Sequence, residues 1–280
     1  MSIAKILVPV CGEDCDAAAI EAAIAAARPF GSHIELFAIH EDPALAVPMV
    51  GVPMAGDTIG AIIEGQTEHG NAAAARARAA MKEICARENV RIVSTPERGG
   101  APTCALRQGW GPVADAIGEA AALSDLVVLG PMGWNRPGAF NQAFLGVLRD
   151  VRKPLLVAHA AARTPRRIVL GWDGGLAAAR ALGAALPFLE KAGQATLVTV
   201  GRPAGIAAEA AADYLALHGV TARIDAAAPG PAGPALLAAA RDADLLVMGG
   251  YGHSHLLESV VGGVTAHVLA HATLPVLLAH

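Results

Sequence analysis

The sequence predicts an α/β protein made of two tandem doubly wound parallel sheets, and three observations carry that prediction. Near-continuous aliphatic runs of strand length, such as Leu126–Leu129 and Leu245–Met248, mark strands buried on both faces. Alanine-rich helical stretches separate them, and strand alternating with helix implies right-handed crossovers and a parallel sheet. The same series of segments also occurs twice along the chain.

The first strand of the first half, Lys5-Ile-Leu-Val-Pro-Val-Cys11-Gly12, matches Arg167-Ile-Val-Leu-Gly-Trp-Asp173-Gly174 in the second. Each precedes an alanine-rich helix. Ser124-Asp-Leu-Val-Val-Leu-Gly130 matches Ala243-Asp-Leu-Leu-Val-Met-Gly249, a fourth strand in each half. Lys153-Pro-Leu-Leu-Val-Ala-His159 matches Leu274-Pro-Val-Leu-Leu-Ala-His280, a closing fifth strand. Helices are expected over Leu176–Lys191 and Ile206–His218, leaving the second half close to a minimal five-stranded unit. The first half is longer, with a Pro/Gly/Met-rich insertion at Asp42–Asp57, a long helix near Thr58–Glu88 and a loop over Pro96–Pro112. A short tether at Ala160–Arg166 divides residues 1–160 from 166–280, and two similar units so closely joined are expected to pack as an internal pseudo-dimer. The closing strands Leu155–His159 and Val276–His280 should bring the halves together, because aliphatic edges left bare invite aggregation.

Composition narrows the classes of function. Apolar residues make up 54% of 280, much of it alanine, and aromatics only 4%, so Leu, Ile and Val must build the core. The net charge is −4 and no stretch concentrates Lys or Arg, which argues against nucleic acid as a partner. Apolar runs are interrupted, as Ala17–Ala27 is by Glu21, so no membrane span is expected. Only five apolar residues separate Lys5 from Cys11, too few for a signal-peptide core, and a cytoplasmic location is expected. Four cysteines, Cys11, Cys15, Cys85 and Cys104, lack metal-type spacing and read as reduced thiols.

Ligands of open parallel sheets bind beyond the carboxyl ends of the strands, where strand order reverses. In the second half that region collects Trp172 and Asp173 after the first strand and Met248-Gly249-Gly250-Tyr251-Gly252 after the fourth. Gly262-Gly263-Val264-Thr265 follows at an expected helix start, where free N–H groups and the helix dipole favour an anion.

Asp173, the spacing Gly249-x2-Gly252-x9-Gly262 and the closing Leu274-Pro-Val-Leu-Leu resemble the universal stress protein family, some members of which bind ATP. The resemblance covers both halves and is closest over Asp244–His280. It implies a five-stranded sheet of order 3-2-1-4-5 in each half. No arginine finger or P-loop lysine is visible in the sequence, so no enzymatic activity is expected. The resemblance also implies an adenine nucleotide, ATP or AMP, with Mg²⁺ accompanying ATP. Asp173 would lie near the ribose, the backbone around Val200 near adenine, and Gly249, Gly252, Gly262 and Gly263 around the phosphates. Trp172, Met248, Val264 and Thr265 complete that candidate site. One departure weakens it. The family's ATP-binding pattern has Ser or Thr where this chain has Gly263, and a hydroxyl bond to a charged group contributes about 1.5–3 kcal/mol. No Lys or Arg follows Arg241, which leaves His253 and His255 as the nearby side chains able to meet phosphate charge.

The first half departs further. Cys11 stands in place of the aspartate, Trp134-Asn-Arg-Pro-Gly138 breaks the glycine spacing, and Asn141-Gln142 align with Gly262-Gly263. It reads as a degenerate partner. Other groupings read as structural. His267 and His271, four residues apart, lack a further metal ligand on their helix. Cys11 and Cys15 read as small packed residues, the alternative being a low-pKa thiol and its resolving partner. Trp172 and Tyr251 either stack on a base or plug the cleft. Met49 and Met54 belong to an insertion that could form a lid. Ser254 lacks a nucleophile-elbow context. The alternatives to a nucleotide-binding stress protein are an interaction protein with vestigial pockets, and an ATPase or thiol-redox enzyme. A homodimer of the whole chain is a further assembly that the sequence admits.

Overall fold

A computed structural model describes residues 2–46, 56–97, 99–131, 139–159, 163–201, 205–227, 230–250 and 263–280. The first half runs β1 (Lys5–Val10), α1 (Cys15–Ala27), β2 (His33–His40), a 3₁₀ turn at Pro43–Ala46 and α2 (Gly56–Arg87). It continues through β3 (Arg91–Ile92), β4 (Thr103–Trp110), α3 (Val113–Ala122), β5 (Leu126–Leu129) and α4 (Ala139–Leu145). Helix α4 passes into a π-helical turn, Gly146–Val151, before β6 (Leu155–Val157). The second half runs β7 (Ile168–Gly171), α5 (Leu176–Ala192), β8 (Gln194–Val200), α6 (Ala208–Leu217) and β9 (Thr221–Ala227). It closes with α7 (Ala232–Ala239), β10 (Leu245–Gly249), α8 (Gly263–His271) and β11 (Val276–Ala279).

The eleven strands among the described residues form one sheet, in the order β3-β4-β2-β1-β5-β6-β11-β10-β7-β8-β9. Within each half the expected 3-2-1-4-5 order holds, with every pairing parallel. The halves meet where β6 and β11 pair antiparallel, Leu155 opposite Leu278 and Val157 opposite Val276. The closing strands thus join the two halves, six strands and five, into a continuous sheet. Phe30 and Phe188 add an edge-to-face contact between the halves, with ring centroids 5.4 Å apart.

Two features of the first half differ from expectation. Pro96–Pro112 is not all loop: it contains β4, which pairs with β2 from His33↔Thr103 to His40↔Trp110. The strand escapes a hydrophobicity reading because Arg107 and Gln108 are exposed and its outer neighbour, β3, spans only two residues. That extra strand gives the first half six strands rather than five. Helix α2 begins at Gly56, and its buried face, Gly70, Ala73, Ala74, Ala77, Met81, Ile84 and Cys85, occupies only the second half of its length. Met49 and Met54 lie outside the described residues.

Both faces of the sheet are covered. Alternate strand residues such as Ile6 and Val8 pack under α1, α2, α5 and α6, whereas Leu7 and Val127 pack under α3, α7, α8 and the π turn. Helix-covered parallel strands need aliphatic side chains on both faces, which accounts for the unbroken runs in the sequence. No helix among the described residues is long and apolar enough to cross a membrane.

The aspartates that open the fourth strands explain one of the repeats. Asp125 accepts hydrogen bonds from the N–H groups of Ala4 (2.8 Å) and Lys5 (3.0 Å). Asp244 accepts from Arg166 (3.1 Å) and Arg167 (2.8 Å), with the Arg167 guanidinium at 3.3 Å. Burial alone would raise the Asp244 carboxyl, but the N–H donors and the Arg167 charge outweigh it and hold the group below its ordinary value. A depressed folded-state pKa means that the carboxylate stabilises the fold above the unfolded value of about 3.9 and ceases to as pH falls through the lower folded value. We expect Asp244→Asn to lower stability by about 1–2 kcal/mol at neutral pH. The difference between the thermal unfolding curves of the two proteins should shrink below about pH 4, and a gap constant with pH would contradict this role.

Candidate functional site

The cleft lies at the carboxyl ends of β7, β8 and β10, where strand order reverses. It is a cavity of about 400 Å³ lined by Gly171, Trp172, Asp173, Ala178, Val198, Val200, Ala232, Leu236, Met248, Gly249, Gly263, Val264 and Thr265. Eight sequence-predicted residues therefore share one cavity: Trp172, Asp173, Val200, Met248, Gly249, Gly263, Val264 and Thr265. Gly252, Gly262, Tyr251, His253, Ser254 and His255 lie outside the described residues.

Local chemistry positions each wall. Gly174 has φ +80°, and a Cβ there would approach the Ile206 carbonyl oxygen to 2.8 Å. That close approach lets the Ile206 N–H donate to the Gly174 carbonyl (2.9 Å), clamping the loop after β8 to the loop after β7. Asp173 is exposed at the cavity, where its carboxylate accepts the Gly175 N–H (2.8 Å) in the turn before α5. Trp172 is 4% exposed and donates its indole N–H to the Ile206 carbonyl (2.9 Å). The indole is thus held as a wall of the cavity.

Gly249 has a packing role that the motif did not reveal. A Cβ at this position would lie 2.7 Å from the Ala177 carbonyl carbon and the Ala178 nitrogen. The glycine thus allows the end of β10 to rest against the first turn of α5. Gly130 does the same in the first half, where a Cβ would meet the Cys15 carbonyl oxygen at 2.5 Å. Packing accounts for a glycine at this place in both halves.

Gly263 is different. It opens α8, is exposed, and a Cβ there would meet nothing within 4 Å among the described residues. The N-terminal residues of α8 as described therefore border the cavity beside Thr265, which is 4% exposed. Asp173 is the charged side chain among the described lining residues, and Val198, Val200, Leu236 and Met248 make the remaining wall apolar. Such a site can hold a flat apolar group at one end and an anion at the other.

The equivalent place in the first half is organised otherwise. Asn141 and Gln142 fall in the first turn of α4 as described, and 134–138 lie outside the described residues. Asp16, 3% exposed in the first turn of α1, turns back onto the end of β1 and accepts the N–H groups of Cys11 (3.1 Å) and Gly12 (2.7 Å). Burial nevertheless raises the Asp16 carboxyl above its ordinary value. Cys11 and Cys15 share a hydrogen bond, Sγ to Sγ 3.9 Å, which pushes the Cys11 thiol up and draws the Cys15 thiol down. The sequence pointed to Cys11 and Cys15 but gave no sign of Asp16, whose part depends on the turn of the chain. His267 and His271 stack on the surface of α8 with ring centroids 4.3 Å apart, and the His271 Nδ1 lies 2.8 Å from the His267 carbonyl oxygen.

Comparison with known proteins places this architecture. Residues 164–280 match the model of the universal stress protein family. A universal stress protein of Synechocystis sp. is 28% identical over 203 residues, covering 66% of this chain and 68% of that protein. The crystal structure of a universal stress protein from Archaeoglobus fulgidus superposes with a TM-score of 0.64 at 17% identity, over 98% of this chain and 95% of that one. A Pseudomonas aeruginosa protein described as functionally unknown matches with a TM-score of 0.55 at 17% identity, over 99% and 92% of the two chains. Residues 164–280 thus carry the match to the universal stress protein family, and the whole chain, two units of the same sheet order joined along their closing strands, has the fold of a solved universal stress protein.

Proposed function

We propose that the chain is a stress-response protein that binds one adenine nucleotide, in the cleft of its second half, and acts through occupancy and not through turnover. The observation that carries this reading is the shared cavity, where an apolar wall, a carboxylate and a helix start with room beside it meet in about 400 Å³. The base would rest between Val200 and Met248, Asp173 would accept ribose hydroxyls, and the first turn of α8 would meet phosphate. Residues 1–160 would act as the partner that completes the pseudo-dimer, and residues 166–280 as the binding domain. Among the described lining residues no Lys or Arg is placed to stabilise a transferring phosphoryl group, which favours binding over hydrolysis.

Titration calorimetry with ATP, with and without Mg²⁺, and with AMP tests the reading. One site per chain is expected, and Asp173→Ala should weaken it about tenfold, the effect of one charge-assisted hydrogen bond at a partly exposed position. Two equivalent sites, or unchanged affinity in Asp173→Ala, would contradict the assignment. The absence of any nucleotide binding would favour the interaction protein with vestigial pockets.

A further inference from the structure

We propose that the first half holds a zinc site, formed by the Cys11 and Cys15 sulfurs and the Asp16 carboxylate at the junction of β1 and α1. The three ligand atoms all lie within 4.8 Å of one another. Cys11 Sγ is 3.9 Å from Cys15 Sγ and 3.6 Å from Asp16 Oδ1. Tetrahedral zinc, with bonds of about 2.3 Å to sulfur and about 2.0 Å to oxygen, would set those separations at about 3.8 and 3.5 Å. The two distances therefore already match two edges of a zinc tetrahedron.

The surroundings supply what such a site needs. Asp16 is 3% exposed, and among the described residues it forms no ion pair. Its neighbour Arg76 donates instead to the Gly12 carbonyl (2.8 Å). A divalent cation would compensate a carboxylate otherwise buried with only backbone and thiol donors. The Cys11 and Gly12 N–H groups fix the carboxylate orientation, as outer-shell donors do around metal ligands. Cys11 and Cys15 are both only half-buried, which leaves a path from solvent by which a water could serve as the fourth ligand. On binding, Zn²⁺ replaces the two thiol protons, which pass to solvent, and no oxidation occurs. The resulting charge of −1 lies at the start of α1, where the helix dipole favours it. The site stands where β1 ends, as Asp173 stands after β7, so the two halves would hold different ligands at corresponding places.

The test uses the full chain, reduced, stripped by chelator and free of nucleotide. One equivalent of zinc per chain should survive desalting, and cobalt(II) substitution should give the intense near-ultraviolet band of thiolate-to-cobalt charge transfer. Cys11→Ser with Cys15→Ser should abolish that band, and Asp16→Asn should weaken zinc binding by at least about tenfold. Cys85→Ala with Cys104→Ala, in the buried core, should leave it intact. Absence of the charge-transfer band would overturn the proposal, and so would zinc retention unchanged in the Cys11/Cys15 double variant. Formation of a Cys11–Cys15 disulfide in air at the same rate with and without zinc would identify a redox pair instead and overturn it equally.

Discussion

Gly263→Ser should tighten ATP binding by roughly tenfold to a hundredfold, a gain equal to one hydroxyl hydrogen bond to a charged group, about 1.5–3 kcal/mol. Among the described residues a Cβ at Gly263 meets nothing within 4 Å, and the position is exposed at the first residue of α8. The helix should also gain a few tenths of a kcal/mol, since serine is the better helix former. Gly263→Ala separates the two effects, because it shares the backbone gain and lacks the hydroxyl. Calorimetry should therefore rank the affinities serine, then alanine close to wild type. Equal affinity in the serine and alanine variants would mean that phosphate does not reach this turn. A gain for ATP but not for adenosine would locate the contact on the phosphates.

Gly249→Ala should destabilise the protein by about 1–3 kcal/mol, because its methyl group meets main-chain atoms and not the end of a flexible side chain. The clash is with the Ala177 carbonyl carbon and Ala178 nitrogen at 2.7 Å, so either β10 or the first turn of α5 must move. For a chain of this size the midpoint should fall by roughly 2–9 °C. Gly183→Ala, in the middle of α5 with nothing within 4 Å of the new methyl, should instead stabilise by about 0.5–1 kcal/mol. Differential scanning calorimetry on the two variants compares a glycine required by close approach with one that is merely tolerated. An unchanged or raised midpoint for Gly249→Ala would show that the α5 turn yields easily.

Most of the fold was legible because buried parallel strands need aliphatic runs, and those runs recur in the same order in both halves. Strand β4 was not legible: it lies one place from the sheet edge, and Arg107 lies over the Phe37 ring at 3.6 Å from its centroid while reaching Glu35. A polar residue can serve a strand there, so hydrophobicity alone misses it. Asp173, Gly263 and Thr265, which line one cavity, were legible as neighbours from their places after a strand and at a helix start. The reason for Gly249 was not, because a glycine needed for packing and one needed for phosphate look alike in sequence; only the distance to α5 separates them. Asp16 was missed for a related reason. Nothing in Cys11-x3-Cys15-Asp16 says that the carboxylate folds back onto the strand that precedes it.

The seam between β6 and β11 has a genetic consequence. In a dimer of identical subunits, any substitution appears on both sides of the axis, so a binding site cannot be lost from one side alone. Here each closing strand is already paired within the chain, Leu156 against Leu277, and the sheet ends that remain are β3 and the charged, exposed β9. Subunit exchange along this seam is excluded while the chain is folded, because each half has its partner tethered at high effective concentration. The two sites can then change independently, one keeping a carboxylate after its first strand and the other a cysteine, with the ratio of the two fixed at one to one by translation.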